Sequence, residues 1–469
     1  MTSKRLAVLN VVGLCGRAIG PATPRIRDLM NAKGSAVIRP AFPAVTCTAQ
    51  SNYLTGRRPS EHGIVGNGWF DRNLSEVQFW KQSNALVRGP KVWDDLRSVR
   101  PGFTCAKLFW WYNMYSSADY SITPRPMYPA DGRKVFDVYS WPYTIRSEIK
   151  KDLGPFPFPT FWGPAAGVDS PQGAPEAASD WIARSARWIE ERHQPTLSLV
   201  YLPHLDYNLQ RFGPDSPAAH ADYGRIDRLV GELLDFYANR GVEVMLLSEY
   251  GITKVHRPVH LNRVFRDRGW LTVKEELGLE YLDAGASDAF AVADHQVAHV
   301  YVNDPTLLQE VREAIQATPG VDQVLDAQAQ VDWGIRHERA GDLVVISEPD
   351  AWFTYYYWAD DALAPDFARC VDIHRKPGYD PVELFLDPRI PAVKLKILFR
   401  LLQKKLGFRM LMDVIPLDAS LVKGSHGRLP EDAADWPVLI HPRALSEARK
   451  GVVESTSVHS LILSLLTDS

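Results

Sequence analysis

The sequence predicts an α/β protein, with a mostly parallel central sheet covered by helices and interrupted by inserted cap segments. Three observations lead there. Short apolar runs alternate with amphipathic helical stretches, the rhythm of a parallel sheet. Apolar residues make up 45% and charged residues 23% of the 469-residue chain, as in ordinary globular proteins. The polar clusters that carry chemistry follow directly after apolar runs, and ligands of such sheets bind just past the C-terminal ends of strands.

Taken in order, Ala7–Val12 is a first buried strand, too short for a signal peptide or a membrane span, and it exits through Gly13-Leu-Cys15-Gly16. A short helix (Thr23–Met30) and a second strand (Ser35–Arg39) follow. Phe42-Pro-Ala-Val-Thr46 is then a Pro-containing turn that delivers Thr46 to the start of a helix ending at Thr55-Gly56. Unpaired N–H groups and the positive end of the helix dipole favour an anion there, so a hydroxyl at that point suits attack on phosphorus. The simpler role for Thr46 or Thr48 is to cap the helix. Val92–Val99 has helical spacing, and Phe103–Trp111 is a buried strand.

From Ser116 to Gly173 the periodicity fades into prolines and aromatics, as expected of a cap insertion rather than of a disordered segment. The rhythm resumes with a helix (Glu176–Arg192), a strand (Leu197–Leu202), a helix (Ala218–Asn239) and a strand (Val242–Leu247). Ala291–Val302 reads as a strand carrying Asp294 and His295, followed by a helix (Thr306–Thr318) and a strand (Asp342–Ser347). A second insertion spans 387–421. Its helix, Val393–Met412, has a broad apolar face and a basic remainder, as a packed cap helix would. The expected organisation is a core formed by 1–115, 174–386 and 422–469, with caps at 116–173 and 387–421.

A net charge of −3 leaves no basic footprint for nucleic acid. Four scattered cysteines without a CxxC pair suggest neither a disulfide framework nor a thiolate zinc site. The expectation is a cytoplasmic protein without stable membrane insertion.

Carboxylates and a histidine fall on separate strand exits: Asp206 and Gln210 before Gly213-Pro-Asp-Ser-Pro217, Glu249 in Ser248-Glu-Tyr250-Gly251, and His426 in Lys423-Gly-Ser-His-Gly427. Convergence of such groups on a hydroxyl at a helix start is what metal-assisted phosphoryl transfer requires. At this level the chain resembles the alkaline phosphatase superfamily, specifically its type I phosphodiesterase / nucleotide pyrophosphatase branch. The resemblance rests on the Phe-Pro-x-x-Thr turn, the run Thr55-Gly-x-x-Pro59-x-x-His62-Gly-Ile64 and Asn67. It implies Thr46 as nucleophile, Asn67 as donor to a phosphate oxygen, and Asp206 and His426 as metal ligands.

Departures from the family pattern are Cys15-Gly16 for Asp-Gly, Gln210 for a His, and Glu249-Tyr250 for Asp-His. Glu249 is a conservative ligand exchange. His295 (with Asp294) and His374 (in Asp372-Ile-His374) are candidate replacement ligands. An oxygen-rich set suits Mg²⁺ or Mn²⁺ better than Zn²⁺. The expected substrate is a small phosphate ester, phosphodiester or diphosphate, with room for a lipophilic one. Two alternatives accompany this reading. In one, Trp110, Trp111, Tyr355 and Tyr356 shelter a prenyl diphosphate for terpenoid ionisation or cyclisation. In the other, the chain is a non-catalytic descendant of the fold.

Overall fold

The computed structural model describes residues 4–442 and 451–467. A nine-stranded sheet forms its centre. Counting the strands of the two principal sheets in chain order, the first seven are β1 (Leu6–Val11), β2 (Ser35–Arg39), β3 (Cys105–Leu108), β4 (Tyr120–Pro124), β5 (Val138–Trp141), β6 (Leu197–Leu202) and β7 (Glu243–Leu247). A second sheet holds β8 (Ala289–Asp294), β9 (Val297–Val302), β10 (Val321–Leu325) and β11 (Leu343–Ser347); β12 (Val438–Ile440) and β13 (Val452–Glu454) return to the first. The central order is β13-β2-β12-β7-β1-β6-β3-β4-β5. β7, β1, β6, β3 and β4 run parallel, whereas β12 and the edge strand β5 are antiparallel to their neighbours.

β1 and β6 are buried at every position, which explains their mainly apolar character, broken by Asn10 in β1 and Ser198 in β6. Two helical layers cover the sheet. One packs Pro24–Lys33 and Ala177–His193 against Pro217–Ala238; the other packs Ser457–Thr467 against Thr46–Thr55 and Val92–Val99.

Three expectations are corrected. The span 116–173 contributes β4 and the edge strand β5 to the sheet; Pro124 fits at the end of β4 because it lies past the last residue paired with β3. Ala291–Val302 is not one strand but the β8–β9 hairpin, turning at His295 (φ 62°) and Gln296. With β10 and β11 it makes a four-stranded antiparallel sheet with its own apolar cluster, so the segment assigned to the core contains a second packing centre. The helix in 387–421 ends at Lys405 and buries none of its side chains, so it is not a packed cap helix.

His62, from the Pro59–Ile64 run, shows how the Thr46 region is pinned. Its Nδ1 accepts from the Ile64 N–H at 3.0 Å, which leaves Nε2–H to donate to Asn52 Oδ1 at 2.7 Å. Burial, reinforced by His337, Arg339 and Lys91, pushes its pKa down to about 3. A depressed histidine pKa gives stability that is complete above the unfolded value near 6.5 and is lost as pH falls toward the folded value. The stability advantage of wild type over His62→Gln should therefore shrink by about 1.4 kcal/mol per pH unit below 6.5, read by urea unfolding at several pH values.

Candidate active site

The Thr46–Thr55 helix is buried along its whole length although most of its side chains are polar. Each of these therefore needs a partner. Thr48 Oγ1 donates to the Ile64 carbonyl, Tyr53 OH to the Ser248 carbonyl, and Gln50 Oε1 accepts from the Trp111 N–H. Thr46 does not cap the helix. Val45 occupies the cap position without a side-chain bond, and Asn67 reaches across to take the Cys47 N–H on its Oδ1 at 3.0 Å. The Thr46 hydroxyl is thus left to the site, 3.0 Å from Tyr250 OH.

Tyr250 OH in turn donates to Asp206 Oδ1 at 3.3 Å. Asp206 lies not on a loop but in the first turn of a helix, His204–Phe212, that follows β6 directly. Leu205 and Leu209 anchor this helix in the core, and the four-residue spacing sets Asp206 and Gln210 on one face. The backbone of Gly424 lies against it: a Cβ there would sit 2.1 Å from the Leu209 carbonyl oxygen, so only glycine fits the approach that brings in His426. The Gly213–Pro217 motif is structural. Gly213 (φ 84°) ends this helix and Ser216 caps the next.

Four rings stack into a column through the site: Tyr250 on His426 (3.6 Å), His426 on His295 (3.7 Å) and His295 on Tyr379 (3.6 Å). Tyr379 OH closes the ring by donating to Gln210 Oε1 at 2.9 Å. His426 Nδ1–H donates to the Ala44 carbonyl at 2.8 Å, and burial keeps the imidazole neutral. Its Nε2 lone pair is buried without a hydrogen-bond partner and lies 4.0 Å from Asp206 Oδ1. On the far side of the column, Asp294 accepts from Asn67 N–H at 2.7 Å, Asn67 Nδ2 at 3.0 Å and His295 Nδ1–H at 2.8 Å.

Two buried carboxyl groups, Glu249 and Asp294, and the partly exposed Asp206 thus lie around Thr46, and among the described residues none is ion-paired to a lysine or arginine. Burial raises Asp206 to about 7, Glu249 to about 8 and Asp294 to about 6. Glu249 accepts at one oxygen from both Asn10 Nδ2 (2.5 Å) and Gln50 Nε2 (2.6 Å). Together with the nearby Thr46 hydroxyl these offset part of its desolvation.

Of the residues named from sequence, Thr46, Asn67, Asp206, Glu249, His295 and His426 come together. His374 does not: it sits on the surface with Nδ1 against the Phe79 carbonyl at 3.2 Å, because the loop after Cys370 turns it outward. Cys15 does not either. β1 meets the Glu249 exit at the Gly13–Gly251 bridge, so the residue at that strand end is the apolar Val12, while Cys15 bridges Pro437. Asn10, Gln50 and Tyr379 escaped sequence reasoning; only the polar Asn10 inside an otherwise apolar strand could have signalled one of them. Trp110, Tyr355 and Tyr356 are fully buried packing residues rather than the lining of a hydrocarbon cavity.

Metal fit can be judged from the donors. Among the described residues no three His, Cys, Asp or Glu side chains are placed to share an ion. The amides engage only Oε1 of Glu249, whose Oε2 is buried without a hydrogen bond, but Val12 offers no ligand at the end of β1. Asp206 and the orphaned Nε2 of His426, with Gln210 alongside, fit a single divalent cation. The set does not fit two.

Sheet order and a strand-end cluster of this kind define the alkaline phosphatase-like α/β class. Within it, the chain belongs to the type I phosphodiesterase / nucleotide pyrophosphatase family, whose model matches residues 6–380. An uncharacterised pyrophosphatase/phosphodiesterase of Schizosaccharomyces pombe is 26% identical over 48% of this chain and 40% of its own length. The ectonucleotide pyrophosphatase/phosphodiesterase 2 of Saccharomyces cerevisiae is 21% identical over 70% of this chain, and the match spans 58% of that relative. Murine ectonucleotide pyrophosphatase/phosphodiesterase 5, solved as an inactive Thr→Ala form with AMP, superposes with a TM-score of 0.58 at 15% identity, covering 99% of this chain and 95% of the other. Phosphonoacetate hydrolase from Sinorhizobium meliloti, bound to phosphonoformate, gives 0.59 at 14% identity over 99% and 96%. At these identities the structural likeness establishes the fold.

Asn67 caps the helix and satisfies Asp294 at once. Asn67→Ala should therefore lower stability by about 2–4 kcal/mol, measured by thermal and urea unfolding.

Proposed function

We propose that the protein is a phosphoric ester hydrolase acting on a small phosphate ester, phosphodiester or diphosphate, with Thr46 as nucleophile. The observation that carries this is the chain of contacts from Thr46 Oγ1 through Tyr250 OH to the Asp206 carboxylate, set at the start of a buried helix. The Thr46 O–H donates to the phenol oxygen, and the phenol O–H donates to Asp206. The proton lost as Thr46 attacks phosphorus moves one place along this path. Burial raises the Asp206 carboxyl pKa, and a cation bound beside it would favour the carboxylate that accepts the phenol hydrogen bond.

The attack forms a Thr46–phosphorus bond as the leaving alcohol or phosphate departs, and water then cleaves the phosphothreonine to regenerate the hydroxyl. In this reading the helix N-terminus and the second Asn67 Nδ2 hydrogen would donate to the phosphoryl oxygens. Bound between Asp206 and His426, a divalent cation such as Mg²⁺ or Mn²⁺ would neutralise phosphoryl charge. Gln210, on the same helix face as Asp206, would be the third side chain beside it. The neighbour that is inactive with alanine for threonine, and that binds AMP, supports the nucleophile and a nucleotide-like substrate. Four free, buried cysteines support a reducing, cytoplasmic setting.

With bis(p-nitrophenyl) phosphate and a nucleoside diphosphate ester as substrates, Thr46→Ala should reduce turnover by at least about 10³-fold with unchanged thermal unfolding. Retained turnover would refute the nucleophile. Chelation should abolish activity and Mg²⁺ or Mn²⁺ restore it, and His426→Ala should raise the metal concentration for half-activation by about 10–100-fold. Metal titration of the wild type should reach one equivalent, not two.

A further inference from the structure

The 393–405 helix is attached the wrong way round for a soluble protein. Its polar side faces inward: Lys396 Nζ pairs with Asp413 at 2.8 Å, Arg400 with the same carboxylate at 3.4 Å, and Lys404 Nζ donates to the Lys134 carbonyl at 3.4 Å. Only Val393 and Ile397 add apolar contact on that side. Leu395, Leu398, Phe399, Leu402 and Leu406 recur at three- and four-residue steps and form one stripe on the opposite side. Leu395, Leu398 and Leu406 are 67, 64 and 65% exposed, and Phe399 58%. Phe408 and Leu411, just beyond the helix, are exposed as well. An apolar stripe this continuous on the surface of a soluble chain marks an interaction site.

Charge selects the occupant. Between Asp387 and Asp413 there are seven lysines and arginines and no carboxylate, in a chain of net charge −3. Lys394 and Lys405 flank the stripe and have no ion pair among the described residues. A second copy docked by two-fold symmetry would bring these cationic rims together, which is unfavourable. A surface that is apolar inside and anionic outside complements both features. No helix among the described residues is long and apolar enough to cross a membrane, and this one, about 20 Å long, is too short to span.

We propose that the 393–411 segment docks the protein on anionic lipid bilayers, the helix lying in the plane of the interface with the Leu395–Leu406 stripe among the acyl chains and Lys394 and Lys405 at the headgroups.

The test is co-sedimentation of the full-length protein with phosphatidylcholine vesicles, with and without phosphatidylglycerol. Wild type should pellet with the anionic vesicles and be released by salt, which screens the headgroup attraction. Leu398→Glu combined with Phe399→Glu should lower the partition coefficient by at least about tenfold. Lys394→Glu with Lys405→Glu should remove the preference for phosphatidylglycerol. All four side chains are exposed, so both double variants should keep the wild-type melting temperature by circular dichroism. Wild type remaining in the supernatant with anionic vesicles would overturn the proposal. So would undiminished pelleting of the Leu398/Phe399 variant, or a wild-type dimer in sedimentation velocity that this variant abolishes.

Discussion

The site rests on one constraint, the complete burial of a polar helix. Thr46–Thr55 is covered on all sides, yet its side chains carry hydroxyls and amides that cannot be left without hydrogen bonds. Ser51 and Thr55 bond back to carbonyls one turn earlier, and the others take partners from elsewhere in the chain. Gln50 holds Glu249 on the exit of β7 and the Trp111 N–H beyond β3. Tyr53 holds the Ser248 carbonyl, and Asn52 holds His62. The helix is therefore a polar hub that fixes strand exits relative to one another. Asn67 supplies the cap through space, which leaves the Thr46 hydroxyl free for chemistry.

The chain treats buried charge in two ways. Near β8, Lys376 is buried between Asp380 (2.7 Å) and Glu383 (2.8 Å), a fully compensated cluster in which those carboxylates raise the ammonium pKa against burial. Around Thr46 no such cation exists among the described residues, and the carboxyls rise toward neutrality instead. Groups poised in this way accept or release protons at working pH, or receive a cation from outside. Tyr250 deepens the difference from a two-metal site, because its phenol joins Thr46 to Asp206 directly.

Much of the fold was legible in the sequence because mainly apolar runs such as Leu197–Leu202 admit few alternatives in a covered parallel sheet. The errors have local causes. Tyr120–Pro124 and Val138–Trp141 are short and lie in a proline-rich span, so they resembled loop. The Asp294–Val297 turn uses His295 at positive φ where glycine or asparagine would have announced a hairpin. Thr46, Asn67, Asp206, Glu249 and His426, singled out from strand exits and the family resemblance, lie together in the structure. Asn10, Gln50 and Tyr379 were not singled out, since each acts on a partner more than 150 residues away.

By itself the sequence determined the parallel sheet, the helix that starts at Thr46 and the set of polar residues at strand exits, because apolar periodicity and turn chemistry are local properties. Only the tertiary structure decided which of those residues meet. His295 and His374 look alike as isolated histidines, yet a hairpin turn aims one into the ring column while a surface loop turns the other away. The same holds for the 393–405 helix: its pattern fixes that one face is apolar, but the pairing of Lys396 and Arg400 with Asp413 decides that this face looks outward.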